Sequence, residues 1–503
     1  MNASVSIVAP VAEDRPGTAD IADIAETAPL AHLPLAPPPR VTTELPALSS
    51  RHHVGRIARL AWPLLVGQLA LIANGVIDTV MVSRFSALDL GALALGVSIY
   101  VSVFVGLSGV LQALQPTIGQ LFGAGRLDDI GNEVKQGMWL AVLLSIVGSL
   151  VLMFSPVFLA FAKASPELVE KATLYLRIEA LALPATLFFR VYSALNTALA
   201  RPKMVMAIQL CGLLLKLPLN ALLIFGGLGL PAFGGPGCAI ATTLIAWLMM
   251  IAAWLLVARL PYYRPLNLFG SGFVAPSWKA QGKLLRLGVP IGMSYFIEVT
   301  AFTLMAVFIA RLGAVPVAGH QIVGNVGTVL YMLPLSIASA TSTLVAQAIG
   351  GNNMQEAKKI GRAGIRLAVS LSVVIGMVVW FLREHIIHAY TPDPVIIGAA
   401  LPLFLYIAFY QFFDAMQVTT AFVLRAYKVA VVPTVIYALT LWGVGLGGGY
   451  LLGLDPLGWT PAALRGPAGF WAANSLSLGL VAVGLLAYLR VIQRRAARGE
   501  LRI

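Results

Sequence analysis

The sequence predicts an all-α integral membrane protein with twelve transmembrane helices arranged as two six-helix lobes. Three observations predict it. Of 503 residues, 59% are hydrophobic and only 11% charged, where a soluble domain carries about 25% charged residues. Twelve apolar stretches reach the ~20 residues that a helix needs to cross a bilayer. Finally, two separated stretches recur at a single offset of 227 residues.

Taken in order, residues 1–50 are a different material from the rest, Ala/Pro-rich with scattered acids ("EDRPGTADIADIAE", "PLAPPPR"). This composition predicts a disordered tail. A secretory signal is not expected, because no basic start precedes an apolar core. The expected spans are 57–82, 89–121, 133–155, 168–196, 203–226, 236–258, 284–310, 316–348, 362–382, 395–424, 429–453 and 467–489. An even number of spans puts both termini on one side. Arg51, Arg56 and Arg59 flank the first span, and Arg490, Arg494, Arg495, Arg498 and Arg502 follow the last. The loops on that side add Arg126, Arg201, Lys203, Arg259, Arg264, Lys279, Lys283, Lys358, Lys359, Arg362 and Lys428. The opposite loops hold only Arg84, Lys163, Lys171, Arg311, Arg383 and Arg465. The positive-inside rule therefore predicts cytoplasmic termini. It also accounts for the net charge of +13 without nucleic acid. Cys211 and Cys238 both fall in apolar segments and suggest neither a disulfide framework nor a metal site.

The internal repeat fixes the domain organisation. "RLAWP" (59–63) matches "RLGVP" (286–290), and "GQLFGAGRLDDIGNEVKQG" (119–137) matches "AQAIGGNNMQEAKKIGRAG" (346–364). Gln120 falls on Gln347, Gly123 on Gly350, Asp129 on Glu356 and Gly137 on Gly364. Six spans per half make the repeat parallel, about an axis normal to the membrane, as in transporters that handle substrate between halves. The expected boundaries are a tail over 1–50, a first lobe over 51–258, a cytoplasmic linker over 259–283, a second lobe over 284–490 and a basic tail over 491–503.

Charge inside the spans points to function. A carboxylate at mid-bilayer costs ~2.5–3.5 kcal/mol on insertion scales, so it marks a functional site by default. By helix rise, Asp414 lies about 15 Å from the cytoplasmic end of the tenth span and Glu298 about 17 Å along the seventh. Tyr410 is one turn from Asp414. Two carboxylates and a phenol in low dielectric require a proton or a cation among them, and hard oxygen ligands suit Na⁺. In the first half, Asp78 continues the stripe Pro63, Gly67, Leu71, Asn74 at about 27 Å, and Asn220 lies at about 24 Å on the fifth span. Lys216, one turn before Asn220, needs an acidic partner, and Asp78 is the nearest by depth. Glu179 and Arg190, eleven residues apart, are expected to pair structurally. His320 is expected at an interface, and Pro63, Pro218, Pro290 and Pro334 are candidate bends. Met293, Phe296 and Met305 are candidates for an adaptable apolar cavity.

Several stretches together resemble the multidrug and toxic compound extrusion family in its NorM-type bacterial branch. They are "GVIDTVMVS" (75–83), "LPLNALLIFG" (217–226), "GGPGCAIAT" (234–242), "GHQIVGNVGTVLYMLPLSIASATSTLVAQAIG" (319–350), "YTPDP" (390–394), "YQFFDAMQV" (410–418) and "LRAYK" (424–428). The resemblance spans roughly 51–495. It implies a V of two pseudo-two-fold lobes in a bacterial inner membrane. It also implies export of amphipathic, often cationic, drug-like compounds in exchange for Na⁺ or H⁺, by a monomer without a cofactor. Glu298, Tyr410 and Asp414 match the family's cation site, and Asp78, Lys216 and Asn220 its proton- or substrate-responsive first-lobe site. Lys216 departs from the Asn often found there, which makes it a candidate tethered cation for Asp78. The alternative reading is a lipid-linked oligosaccharide flippase of the same superfold. The loop "GAGRLDDIGN" lacks the acidic-basic motif of major facilitators. No phosphate loop, His-x-x-x-His pair or nucleophile elbow suggests an enzyme or an ATP-driven pump.

Overall fold

The computed structural model describes residues 50–500 apart from 161–164, 228, 269–271 and 273. The expected 1–50 tail, except Ser50, and the last three residues of the 491–503 tail lie outside the described residues. Twelve helices are long and apolar enough to cross a membrane. They are α1 (Arg51–Ser83), α2 (Ala87–Gly123), α3 (Leu127–Met153), α4 (Pro166–Ala198), α5 (Pro202–Phe225), α6 (Gly235–Arg259), α7 (Trp278–Ala310), α8 (Ala314–Gly350), α9 (Met354–Tyr390), α10 (Pro394–Ala426), α11 (Val431–Leu454) and α12 (Pro467–Ala497). Each expected span coincides with one helix, and most helices extend beyond it, because polar turns outside the hydrocarbon continue the same hydrogen-bond ladder. Among the described residues the one extended pairing is a bridge between Gly227 and Leu230.

Local sequence explains the helix starts. Asp393 caps α10 by accepting from the Val395 N–H at 2.9 Å, with Pro394 in the first turn where its missing N–H leaves no gap. Asn353 caps α9 through the Glu356 N–H at 2.9 Å. Residues Ala438–Gly447 of α11 wind as a wider π-helix through the glycine-rich stretch "WGVGLG".

The 227-residue repeat becomes an axis of pseudo-symmetry. At the end of the bundle that carries the termini, α2 crosses α8 so closely that a Cβ on Gly123 would lie 1.9 Å from the Gln347 carbonyl oxygen. A Cβ on Gly350 would lie 1.9 Å from that of Gln120. Only glycine permits this approach. Gly119 faces its own repeat mate, Ala346, whose Cβ would be 3.0 Å from an added one. The matched glutamines then lock the crossing. Gln120 Nε2 donates to the Ala426 carbonyl at 2.8 Å, and Gln347 Nε2 to the Ala198 carbonyl at 2.7 Å. Gln115 adds bonds to Ser339 and Thr343 of α8.

Each lobe also receives the start of the other's first helix. Leu284, Leu287 and Ile291 of α7 belong to the apolar core formed largely by α2–α6. Ile57 of α1, the repeat mate of Leu284, sits with Ala61 in the core formed by α7–α12. Both helices carry an internal proline at equivalent places, Pro63 and Pro290, just past or within these exchanged turns.

Candidate functional site

The second-lobe acids meet through a side chain that the sequence did not single out. Gln417, one turn after Asp414, donates from Nε2 to Asp414 Oδ1 at 2.9 Å and to Glu298 Oε1 at 3.4 Å. Its own carbonyl oxygen accepts from the Tyr437 hydroxyl. One amide from α10 thus spans carboxylates from α7 and α10, and a phenol from α11 fixes which way the amide faces. Asp414 is only 1% exposed, and its second oxygen, Oδ2, is buried without a hydrogen-bond partner. Arg425, eleven residues or about three helix turns after Asp414, acts electrostatically on Glu298. Its guanidinium donates to the Tyr295 hydroxyl at 2.9 Å and lies over the Phe422 ring. Tyr410 is on the same helix, but among the described residues no hydrogen bond ties it to either acid. Its ring stands edge-on to Trp471 at 5.7 Å.

Trp471 also contacts His320 and Phe302, the three rings forming a triangle with centroid distances of 5.8 Å (His320–Trp471), 5.3 Å (Phe302–His320) and 6.2 Å (Phe302–Trp471). His320 is fully buried, which corrects its expected interfacial position. A place near the start of α8 suggests water, but Phe302 of α7 and Trp471 of α12 pack on its ring. Met305 is packed in the core and lines no open cavity, while Met293 and Phe296 are exposed.

In the first lobe, Lys216 Nζ forms an ion pair with Asp78 Oδ1 at 3.0 Å. Asn220 Nδ2 donates to the same oxygen at 2.7 Å, and the Lys216 ammonium also donates to the Thr242 hydroxyl. Lys216 is 1% exposed. The Lys216–Thr242 bond ties α6 to the cluster, and the Thr242 hydroxyl in turn donates to the Cys238 carbonyl of its own helix. Glu179 of α4 faces this group rather than Arg190. Lys216, Asp78 and the Tyr175 phenol are the groups that act on it. No Glu179–Arg190 ion pair is formed among the described residues. Eleven residues do return a helix to roughly one face, but they separate the side chains by about 16 Å, too far for direct contact. Among the described residues no three His, Cys, Asp or Glu gather in a way that could hold a metal ion.

The MatE family model matches residues 63–222 and again 290–451, so the second match begins 227 residues after the first. A probable multidrug resistance protein NorM of Aromatoleum aromaticum is 40% identical over 89% of this chain and 96% of its own length. The multidrug resistance protein MdtK of Yersinia pseudotuberculosis is 36% identical over 86% and 93%. Among solved structures, the eukaryotic MATE transporter AtDTX14 superposes with a TM-score of 0.79 at 18% identity, covering 90% of this chain and all of that one. An outward-facing multidrug resistance MATE transporter superposes at 0.78 and 16% identity, covering 89% and 97%. Duplicated family match, relatives at this identity and the shared twelve-helix fold agree: the chain belongs to the MatE family of multidrug and toxic compound extrusion transporters.

Proposed function

We propose that the protein is a secondary active antiporter that exports amphipathic, often cationic, organic compounds in exchange for Na⁺ or H⁺. One observation carries this reading. Glu298 and Asp414 share a single amide, and Asp414 Oδ2 is buried with no partner. Two carboxylates this close need a positive species between them, and the unpaired oxygen is where a proton or Na⁺ binds. Tyr410 completes the site when the tenth helix shifts by a fraction of a turn. Arrival of the ion replaces the Gln417 bridge and draws α7 and α10 together. Its departure restores the bridge, so ion binding and helix packing are linked. The relatives' names support drug-like substrates rather than the lipid-linked oligosaccharides of a flippase, and transport rather than an enzymatic reaction.

In the same reading, Asp78, Lys216 and Asn220 respond to substrate. The ammonium is a permanent stand-in for a cation at Asp78, and a cationic drug competes with it. The protein acts as a monomer in a bacterial inner membrane with both termini cytoplasmic, as its loop charges favour. The interlobe latches then lie on the cytoplasmic side, and the substrate path opens outward.

The test is efflux of a fluorescent cationic dye from proteoliposomes, with the Na⁺ gradient and the pH gradient imposed separately. One gradient alone should drive efflux. Glu298→Gln and Asp414→Asn should each abolish the driven component, and Tyr410→Phe should weaken it less. Full gradient-driven transport in both acid variants would reject the site.

A further inference from the structure

We infer that a cleft between α9 and α12 binds the phosphate-bearing headgroup of an anionic phospholipid from the leaflet on the side of the termini. The cleft encloses about 260 Å³ and is lined by Arg362, Arg366, Arg490, Gln493 and the apolar side chains of Ile365, Leu486 and Leu489. The three guanidiniums are exposed, and none has a salt bridge among the described residues.

The depth matches a headgroup. Between Arg366 and Arg383, α9 carries sixteen uncharged residues, about 24 Å of helix, close to the hydrocarbon thickness. In α12 no charge precedes Arg490 from Pro467 onward. All three arginines therefore stand at the boundary where phosphates lie, and the leucines continue the wall toward the acyl chains.

Snorkelling alone would put arginines at this level. The pseudo-symmetry distinguishes this cleft from that case. Its first-lobe counterpart is the face of α3 bearing Lys135, Gln136 and Trp139, each 227 residues before Arg362, Ala363 and Arg366. That face is covered by the linker. Lys135 donates to the Gly272 carbonyl at 3.3 Å, Gln136 to that of Ala275 at 3.1 Å and Trp139 to that of Val274 at 2.9 Å. No chain segment runs over the second-lobe face among the described residues, and its donors there are two arginines joined by a third. A row of backbone carbonyls meets the first face, and an anionic headgroup supplies the equivalent oxygens to the second, in the fork geometry that guanidinium favours. Basic pockets between transmembrane helices are a known mode of anionic lipid recognition.

The test uses the full chain in a mild non-ionic detergent. Diphosphatidylglycerol, phosphatidylglycerol, phosphatidylcholine and inorganic phosphate are added separately, and retention is read by native mass spectrometry alongside the thermal midpoint. The two anionic lipids should be retained as one tight adduct and raise the midpoint, and phosphatidylcholine should not. In the variant Arg362→Gln/Arg366→Gln/Arg490→Gln, retention should weaken at least tenfold while the lipid-free midpoint stays unchanged. Arg366→Gln alone, at an exposed unpaired position, should weaken it severalfold and serves if the triple variant folds poorly. Equal retention by wild type and both variants would overturn the proposal, as would equal retention of phosphatidylcholine. Protection by inorganic phosphate alone would assign the cleft to a free anion instead of a lipid.

Discussion

A lysine held at 1% exposure is destabilising unless its charge is met, and in this protein one carboxylate meets it. Breaking such a pair from one side strands the other charge and costs about 3–5 kcal/mol. Lys216→Met should therefore lower the thermal midpoint sharply and alter the pH profile of efflux, since Asp78 and Glu179 then share no cation. Adding Asp78→Asn should restore much of the stability, with a coupling in the double-mutant cycle of roughly 0.5–3 kcal/mol. Strict additivity with an unchanged pH profile would mean that the ammonium only fills space. The acids were legible in the sequence because a charge inside an apolar run has few reasons to exist. Helix-rise arithmetic brought Asn220 level with Asp78, and Lys216, one turn shallower, reaches the same acid along its own side chain. Gln417 was not legible, because a neutral amide in a span carries no comparable penalty, and its importance depends on which way Tyr437 turns it. Glu179 was read on the correct helix but with the wrong neighbour, because periodicity gives a face and not what the face meets.

Among the helices, the crossing of α2 and α8 is the contact most sensitive to a single methyl group. Gly123→Ala or Gly350→Ala would place a carbon 1.9 Å from a carbonyl oxygen of the opposite lobe, so one helix has to move. Overpacking of this kind costs about 1–3 kcal/mol, all of it in the state where the lobes touch. Spin labels near the two helix ends should report a larger separated population in either variant, and larger still in the double variant. An unchanged distance distribution would remove this contact as the latch. Pro63 and Pro290 lie at equivalent places within or just past the stretch of each first helix that is seated in the opposite lobe. Pro63→Ala and Pro290→Ala should stiffen that stretch and slow efflux while leaving dye binding intact, measured as turnover against equilibrium affinity. The repeated Gln and Gly of "GQLFG" and "AQAIG" were visible in the sequence, but their mutual contact was not, since an offset shows kinship and not which copies touch. The π-helical turn of α11 was also out of reach, because periodicity over a glycine-rich apolar stretch hardly separates one winding from another.

For the whole molecule, orientation is the property most open to test. Single cysteines at 272 or 500 should react with an impermeant reagent only after the inner face is exposed, and those at 86 or 462 from outside; the reverse would overturn the placement of the termini. Twelve spans and their duplication were readable because hydrocarbon thickness sets helix length and a fused repeat preserves its spacing. The exchange of first turns between lobes was not, because nothing in an apolar turn states which core it will join. That exchange has a consequence for how the protein is made. Synthesis delivers the first half to the membrane ahead of the second. Its core still lacks Leu284, Leu287 and Ile291 when α6 is complete, and gains them only as α7 is inserted. Ile57 and Ala61 wait longer, because the core that receives them is built from helices made later. The earliest helix to leave the ribosome is thus among the last to find its seat, and the second half completes the first as it assembles.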